Sequence, residues 1–250
     1  MGFDIGRIKS NARAHYENNK WNNVLVTLIW VIVPMVLSTV MSVVYIVGAL
    51  ISAAAVIPEF DNGDTETALL KLLGTNIVSV LLMCIISYAA VVFVTNVINM
   101  GVITWFRKGI HTTGCAVSEI FMPFKRKYTD NVLTMFLKTL FIGLWSLLFV
   151  VPGLVKFYSY FAVEYIKDER PDMPAMKALE LSERMMNGHK ADVFLLSLSF
   201  IGWMLLAVYT ANIAGVLYVY PYYYAAMAFA YEEIKADAIA SGRISDAEFA

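Results

Sequence analysis

Few residues in this 250-residue chain have types and spacing suited to chemistry, and those that do lie in apolar surroundings. Two apolar runs end in proline in the same way: Leu148-Phe149-Val150-Val151-Pro152 and Leu217-Tyr218-Val219-Tyr220-Pro221. After each proline come aromatic residues, a short apolar segment and then acids. The acids are Glu164 and Asp168-Glu169 in one case, Glu232-Glu233 and Asp237 in the other. Short or proline-interrupted segments at matching positions point to a binding site in membrane transporters. The chemistry this allows is binding. Lys156 would form the floor of an outer vestibule, with Tyr158 and Tyr160 from one segment and Tyr220, Tyr222 and Tyr224 from the other on its walls. An ammonium at membrane depth seeks water, an anion or ring faces, and clustered tyrosines supply two of these. A plainer reading competes at each point. The prolines can mark tight outer turns, the tyrosines an interfacial belt, and Lys156 can snorkel to its own interface. Lys156 and Glu164, read as the ionisable residues within spans, are eight residues apart. That is about 12 Å along a helix, too far for a direct pair.

Other chemistries lack their residues. No phosphate loop, dinucleotide fingerprint, His-Glu-x-x-His or Gly-x-Ser-x-Gly occurs. His15, His111 and His189 are scattered over polar segments, and neither Cys84 nor Cys115 has a Cys or His neighbour at metal-ligand spacing. The two cysteines fall in different compartments, so no disulfide is expected. No catalytic residue, metal or cofactor is expected, and a net charge of −1 without a basic excess gives no reason to expect nucleic acid. Asn76, Asn96, Asn99 and Asn212 suit hydrogen bonds between helices.

The elements that position these residues must be membrane helices. The chain is 59% hydrophobic and 16% charged, with a mean hydropathy of +0.65. Soluble domains hold about 45–50% and about 25%, so lipid is the partner solvent. Apolar runs fall at Val24–Ile57, Ile77–Phe106 (entered through Ala68–Leu73), Val132–Val151, Leu154–Ile166, Val193–Val208 and Val216–Tyr231. The fourth and sixth are short. The first is too long for a signal peptide, and a polar stretch of residues 1–22 precedes it, so an uncleaved span is expected. No ten-residue alternating segments suggest a β-barrel.

Lys and Arg give the orientation. With six spans they gather on one side: before the first span, between the second and third, between the fourth and fifth, and after the sixth. The other side holds only Lys71 and Lys156, with Glu59, Asp61, Asp64 and Glu66 in its first loop. That places both termini in the cytoplasm. Three times a polar stretch leads into a hairpin. The third runs from Met176 to Asp192; its helix, opened near Pro174 and closed at Gly188, puts Ala175, Ala178, Ser182 and Met185 on one face and Lys177, Glu180 and Arg184 on another, as an interfacial helix would. The expected fold is all-α: a six-span transmembrane helical bundle with cytoplasmic interfacial amphipathic helices. It forms a single membrane domain over 1–250, with a cytoplasmic N-terminal amphipathic segment at 1–22, hairpins at 23–110, 116–168 and 174–238, and a cytoplasmic tail at 239–250. The threefold pattern is either a structural repeat or the common form of any even-numbered bundle.

Trp145-Ser146-Leu147-Leu148-Phe149-Val150-Val151-Pro152-Gly153, followed by Lys156-Phe157-Tyr158-Ser159-Tyr160, resembles the signature of the bacterial membrane family catalogued as "domain of unknown function 975". Ile8-Lys9, Ala12-Arg13, Ser182 with Met186-Asn187-Gly188, Ser199-Phe200-Ile201-Gly202-Trp203, Pro221-Tyr222 and Tyr231 also match in order. The chain departs at Thr210-Ala211-Asn212, where the family tends to have glycine. The resemblance implies a multi-pass bacterial plasma-membrane protein and carries over no functional residue. The first functional expectation is a non-enzymatic accessory protein that binds lipid or a partner protein. The second is a small permease or exporter component that takes a small ligand. A membrane-embedded enzyme is a distant third. A polar cavity between the third to sixth helices would favour the permease, and a solid bundle with a lipid-facing groove the accessory role.

Overall fold

The computed structural model describes residues 3–61, 65–112 and 114–249, and the described residues are helical with no strand. Asp64 of the expected acidic loop lies outside them. Three helices are long and apolar enough to cross a bilayer: Lys20–Pro58, Thr65–His111 and Tyr128–Leu148. A fourth is reached if Lys190–Leu198 and Ile201–Tyr209, bent by 41°, count as one. Six continuous spans were expected. The fourth run is broken at Tyr160–Ala162, and the sixth passes through a π-helical turn into a helix that carries Glu232, Glu233, Lys235 and Asp237.

The chain divides into two compact units: residues up to Trp30 together with those from Asn96 onward, and Val31–Thr95. In the first unit α1 (Ile5–Asn18) opens on Asp4, whose carboxylate accepts from the Gly6 and Arg7 amides. Its buried face is Ile8, Ala12, His15 and Tyr16, packed on α12 (Tyr220–Ala240). The polar N-terminal segment therefore docks on protein. From α2 (Lys20–Asp61) this unit holds only the first turns. The return leg of the first hairpin enters it as α4 (Asn96–His111).

The second hairpin rises through α6 (Tyr128–Leu148) and returns as α7 (Val150–Ser159) and α8 (Val163–Glu169). Its turn is Phe149, in extended conformation, rather than the expected Pro152-Gly153. Pro152 sits in the first turn of α7, where amides have no intrahelical acceptor, so its missing N–H costs little. Gly153 marks a close crossing: a Cβ there would lie 2.2 Å from Ser146 Oγ.

The third hairpin follows α9 (Ala175–Met185) through α10 (Lys190–Leu198) and α11 (Ile201–Tyr209), and returns through a π-helical turn at Gly215–Val219 into α12. Its turn is Thr210–Asn212, where Ala211 and Asn212 have φ of 49° and 67°. Pro221 therefore lies within the return leg. A proline there cannot donate to the carbonyls four and five residues back, and two hydroxyls serve them instead. Tyr16 donates to the Leu217 carbonyl (2.6 Å) and Thr27 to that of Val216 (3.0 Å).

The face expected on α9 is present: Ala175, Ala178, Ser182 and Met185 are buried, while Lys177, Glu180 and Arg184 are exposed. It packs on protein, against α6 and α8. The Ser182 hydroxyl donates to the Ser159 carbonyl and accepts from the Ala162 amide, closing the break between α7 and α8.

The second unit comprises the rest of α2, α3 (Thr65–Ala90) and a π-helical turn at Val91–Thr95. Its exposed side chains are largely apolar, Val36, Val43, Leu50, Leu70, Ile77 and Ile85 among them. Several of its polar side chains bond to their own helices: Ser38 and Thr39 to Met35, Ser52 to Gly48, Thr75 to Lys71, and Asn76 to Leu72. Such bonds lower the demand that these groups turn outward, which suits lipid.

Candidate functional site

A cavity of about 230 Å³ opens in the first unit among α4, α6, α7, α8, α10 and α12. Its charged residues are Lys138 and Glu164, joined at 2.5 Å between Nζ and Oε1. Lys138 lies midway along α6, and Glu164 lies in the first turn of α8, where the helix dipole favours a carboxylate. Only 16% and 6% of their side-chain surfaces are exposed. Removing one partner would strand the other in a poorly solvated place.

Aromatic residues supply much of the wall. Phe157, Tyr158 and Phe161 come from the second hairpin, with Tyr165 on α8 and Tyr223 and Tyr224 on α12. These rings are braced from behind. Tyr165 stacks on Tyr231 (4.3 Å between centroids, 13° between planes), and Tyr224 on Phe106 (5.6 Å, 17°). Tyr158 meets the edge of Phe194. Asn99 Oδ1 accepts from both Trp30 Nε1 (3.1 Å) and Tyr224 Oη (3.0 Å), tying α2, α4 and α12 together at the cavity edge. Asn96 reaches Thr139 on α6. Two of the asparagines thus join helices as expected. Ser197 on α10 completes the polar lining, its hydroxyl donating to the Val193 carbonyl.

The six residues expected in one vestibule do not share one site. Tyr158 and Tyr224, from different hairpins, line the cavity together. Lys156 is not among its lining residues. Its ammonium pairs with Glu183 on α9 and lies 5.5 Å from the rings of Trp145 and Tyr160. Tyr160 is buried in a cluster with Met100, Met135, Val163 and Leu179. Tyr220 packs on Trp30 and donates to Asn212 Oδ1, and Tyr222 packs on Phe200. Lys156 is thus held by α9, in an ion pair outside the cavity.

Lys138 is the site residue that the sequence reading does not single out, although it interrupts the apolar run Val132–Val151. A charge in that position is itself the signal.

A second charged cluster binds the return legs to one another. Arg107 of α4 meets Asp168 (2.5 Å) and Glu169 (3.2 Å) of α8. Glu169 also accepts from Tyr231 (2.9 Å) and Lys235 of α12, and His111 approaches Glu232 at 3.0 Å. These groups are paired with one another and act as a clamp. His189 lies between Asp192 and Asp237, away from the partners of His111. Among the described residues, no group of three or more His, Cys, Asp or Glu could hold a metal ion.

Residues 153–238 match the family described as "Protein of unknown function (DUF975)". The matched stretch covers most of the cavity wall, from Phe157 to Met227, while Asn99, Ile103 and Lys138 precede it. No curated protein and no solved structure matches the chain.

Proposed function

We propose that this chain is a non-enzymatic, six-span plasma-membrane protein with both termini in the cytoplasm, which binds a small ligand beside Lys138 and Glu164 as a permease or exporter component. The observation that carries the reading is an ion pair facing a cavity rather than solid packing, at mid-length of an apolar helix. Ionisable residues in such places mark substrate or ion pathways. Breaks in the backbone at membrane depth are tolerated where protein buries them or a cavity needs them. The interruptions at Tyr160–Ala162 and Gly215–Val219 fit that rule. The leg from Val150 to Glu169 holds 20 residues, about 30 Å if helical throughout, which suffices for a bilayer despite its break.

A second reading keeps one observation of its own. The Val31–Thr95 unit exposes largely apolar side chains, which suits an accessory protein that meets lipid or another membrane protein through this hairpin.

The permease reading requires water to reach the cavity. With Cys84 and Cys115 replaced by serine, Ser197→Cys in nanodiscs should react readily with a cationic methanethiosulfonate reagent. Thr134→Cys, at a fully buried position, should not. Equal protection of both would leave the pair as internal bracing and put the accessory reading first.

A further inference from the structure

If the cavity is a ligand site, as proposed above, its lining restricts what can enter. We propose that the ligand is a small organic ammonium, seated against Glu164 and among the surrounding ring faces, with Lys138 as the internal cation it displaces.

Six of the thirteen lining residues are aromatic. Ring faces carry negative potential, attract cations and repel anions, and aromatic cages are a recurring site for ammonium ligands. Two of the lining hydroxyls have the same sign: Ser197 gives its hydrogen to Val193, and Tyr224 gives its own to Asn99, so both oxygens offer lone pairs to an occupant. Glu164 accepts from Lys138 through Oε1 and has a second oxygen. Lys138 is the one positive charge in the lining, and it is held by Glu164. An anion would have to take Lys138 from Glu164 and leave that carboxylate unpaired among rings. A cation that replaces Lys138 keeps the carboxylate paired, gains the ring faces itself, and leaves unpaired an ammonium, the charge that those ring faces favour. The volume, about 230 Å³, lies below the roughly 300–1,000 Å³ of drug-sized pockets, so the ligand is small.

Benzylammonium, benzyl alcohol and benzoate share a ring and differ in charge. Their binding to the full-length protein in nanodiscs, against empty discs, can be measured by saturation-transfer NMR at neutral pH. Benzylammonium should bind, with benzyl alcohol and benzoate weaker by about tenfold or more. Glu164→Gln should lose at least about tenfold for benzylammonium, while Lys138→Met, which removes the competing cation, should bind it more tightly. The wild-type comparison needs no variant to fold. Equal binding of the alcohol, or stronger binding of benzoate that Lys138→Met abolishes, would overturn the cation assignment and leave the ligand site standing. Binding of none of the three while Ser197→Cys is labelled would also overturn the assignment. If Ser197→Cys is protected as well, the ligand site falls with it.

Discussion

Ala211 and His15 each hold a state that costs free energy. Ala211 adopts a left-handed conformation at the turn of the third hairpin, which costs an L-residue with a Cβ about 1–2 kcal/mol. This is where the chain departs from the glycine expected by family resemblance. Ala211→Gly should therefore raise stability by about 0.5–1 kcal/mol after the extra freedom of the unfolded chain is subtracted, seen as a higher thermal midpoint in detergent. An unchanged or lower midpoint would show that the turn bears no strain. His15 is buried under α1, and its Nε2 has no hydrogen-bond partner among the described residues. Burial holds its imidazole below the usual range. The unfolded chain then binds a proton that the folded one resists. Stability from this group is full above the ordinary histidine value of about 6.5 and declines as pH falls below it. The protection factors of α1 amides, with the intrinsic pH dependence of exchange divided out, should fall between pH 7.5 and 5.5 in the native chain and much less in His15→Phe. Identical profiles would remove His15 as the cause.

At the scale of elements, apolar runs and polar connectors were readable because they repeat a simple pattern. The buried face of α9 followed from its spacing alone. The turns did not follow, since proline was taken as their marker. Pro152 and Pro221 both lie inside return legs, and what makes Pro221 tolerable there is contributed from distant sequence. Tyr16 and Thr27 are 201 and 189 residues from the carbonyls they serve, a separation that no local pattern reveals. The same limit hid the Lys138–Glu164 pair: each residue is visible, but their meeting depends on how α6 and α8 pack. Tyr16→Phe should cost about 1–3 kcal/mol, the penalty for a buried carbonyl left without a donor. In a Pro221→Ala background the new amide can serve Leu217, so the same change should cost less than about 1 kcal/mol. Equal costs in both backgrounds, measured by denaturant unfolding, would separate the tyrosine from the proline.

For the whole molecule, composition points to the membrane and charge suggests the sides, but hydropathy overstates the continuity of the fourth run, which breaks at Tyr160–Ala162. Three helices, or four with the bent pair, qualify by length and composition. Six crossings also require the legs through Tyr160–Ala162 and Gly215–Val219 to traverse the bilayer, and Phe161 of the first lines the proposed ligand site. The direct measurement is sidedness. Single cysteines are placed at the three turns (Asn62, Phe149 and Asn212) and at three connector positions (Asn18, Arg126 and Asn187) in a chain with Cys84 and Cys115 replaced. An impermeant thiol reagent is then applied to intact and permeabilised cells. Of these positions, Asn62 lies outside the described residues. The six-span account predicts labelling of all three turns in intact cells and of the connectors only after permeabilisation. Labelling of Phe149 from the same side as Arg126, or of Asn212 from the same side as Asn187, would contradict it.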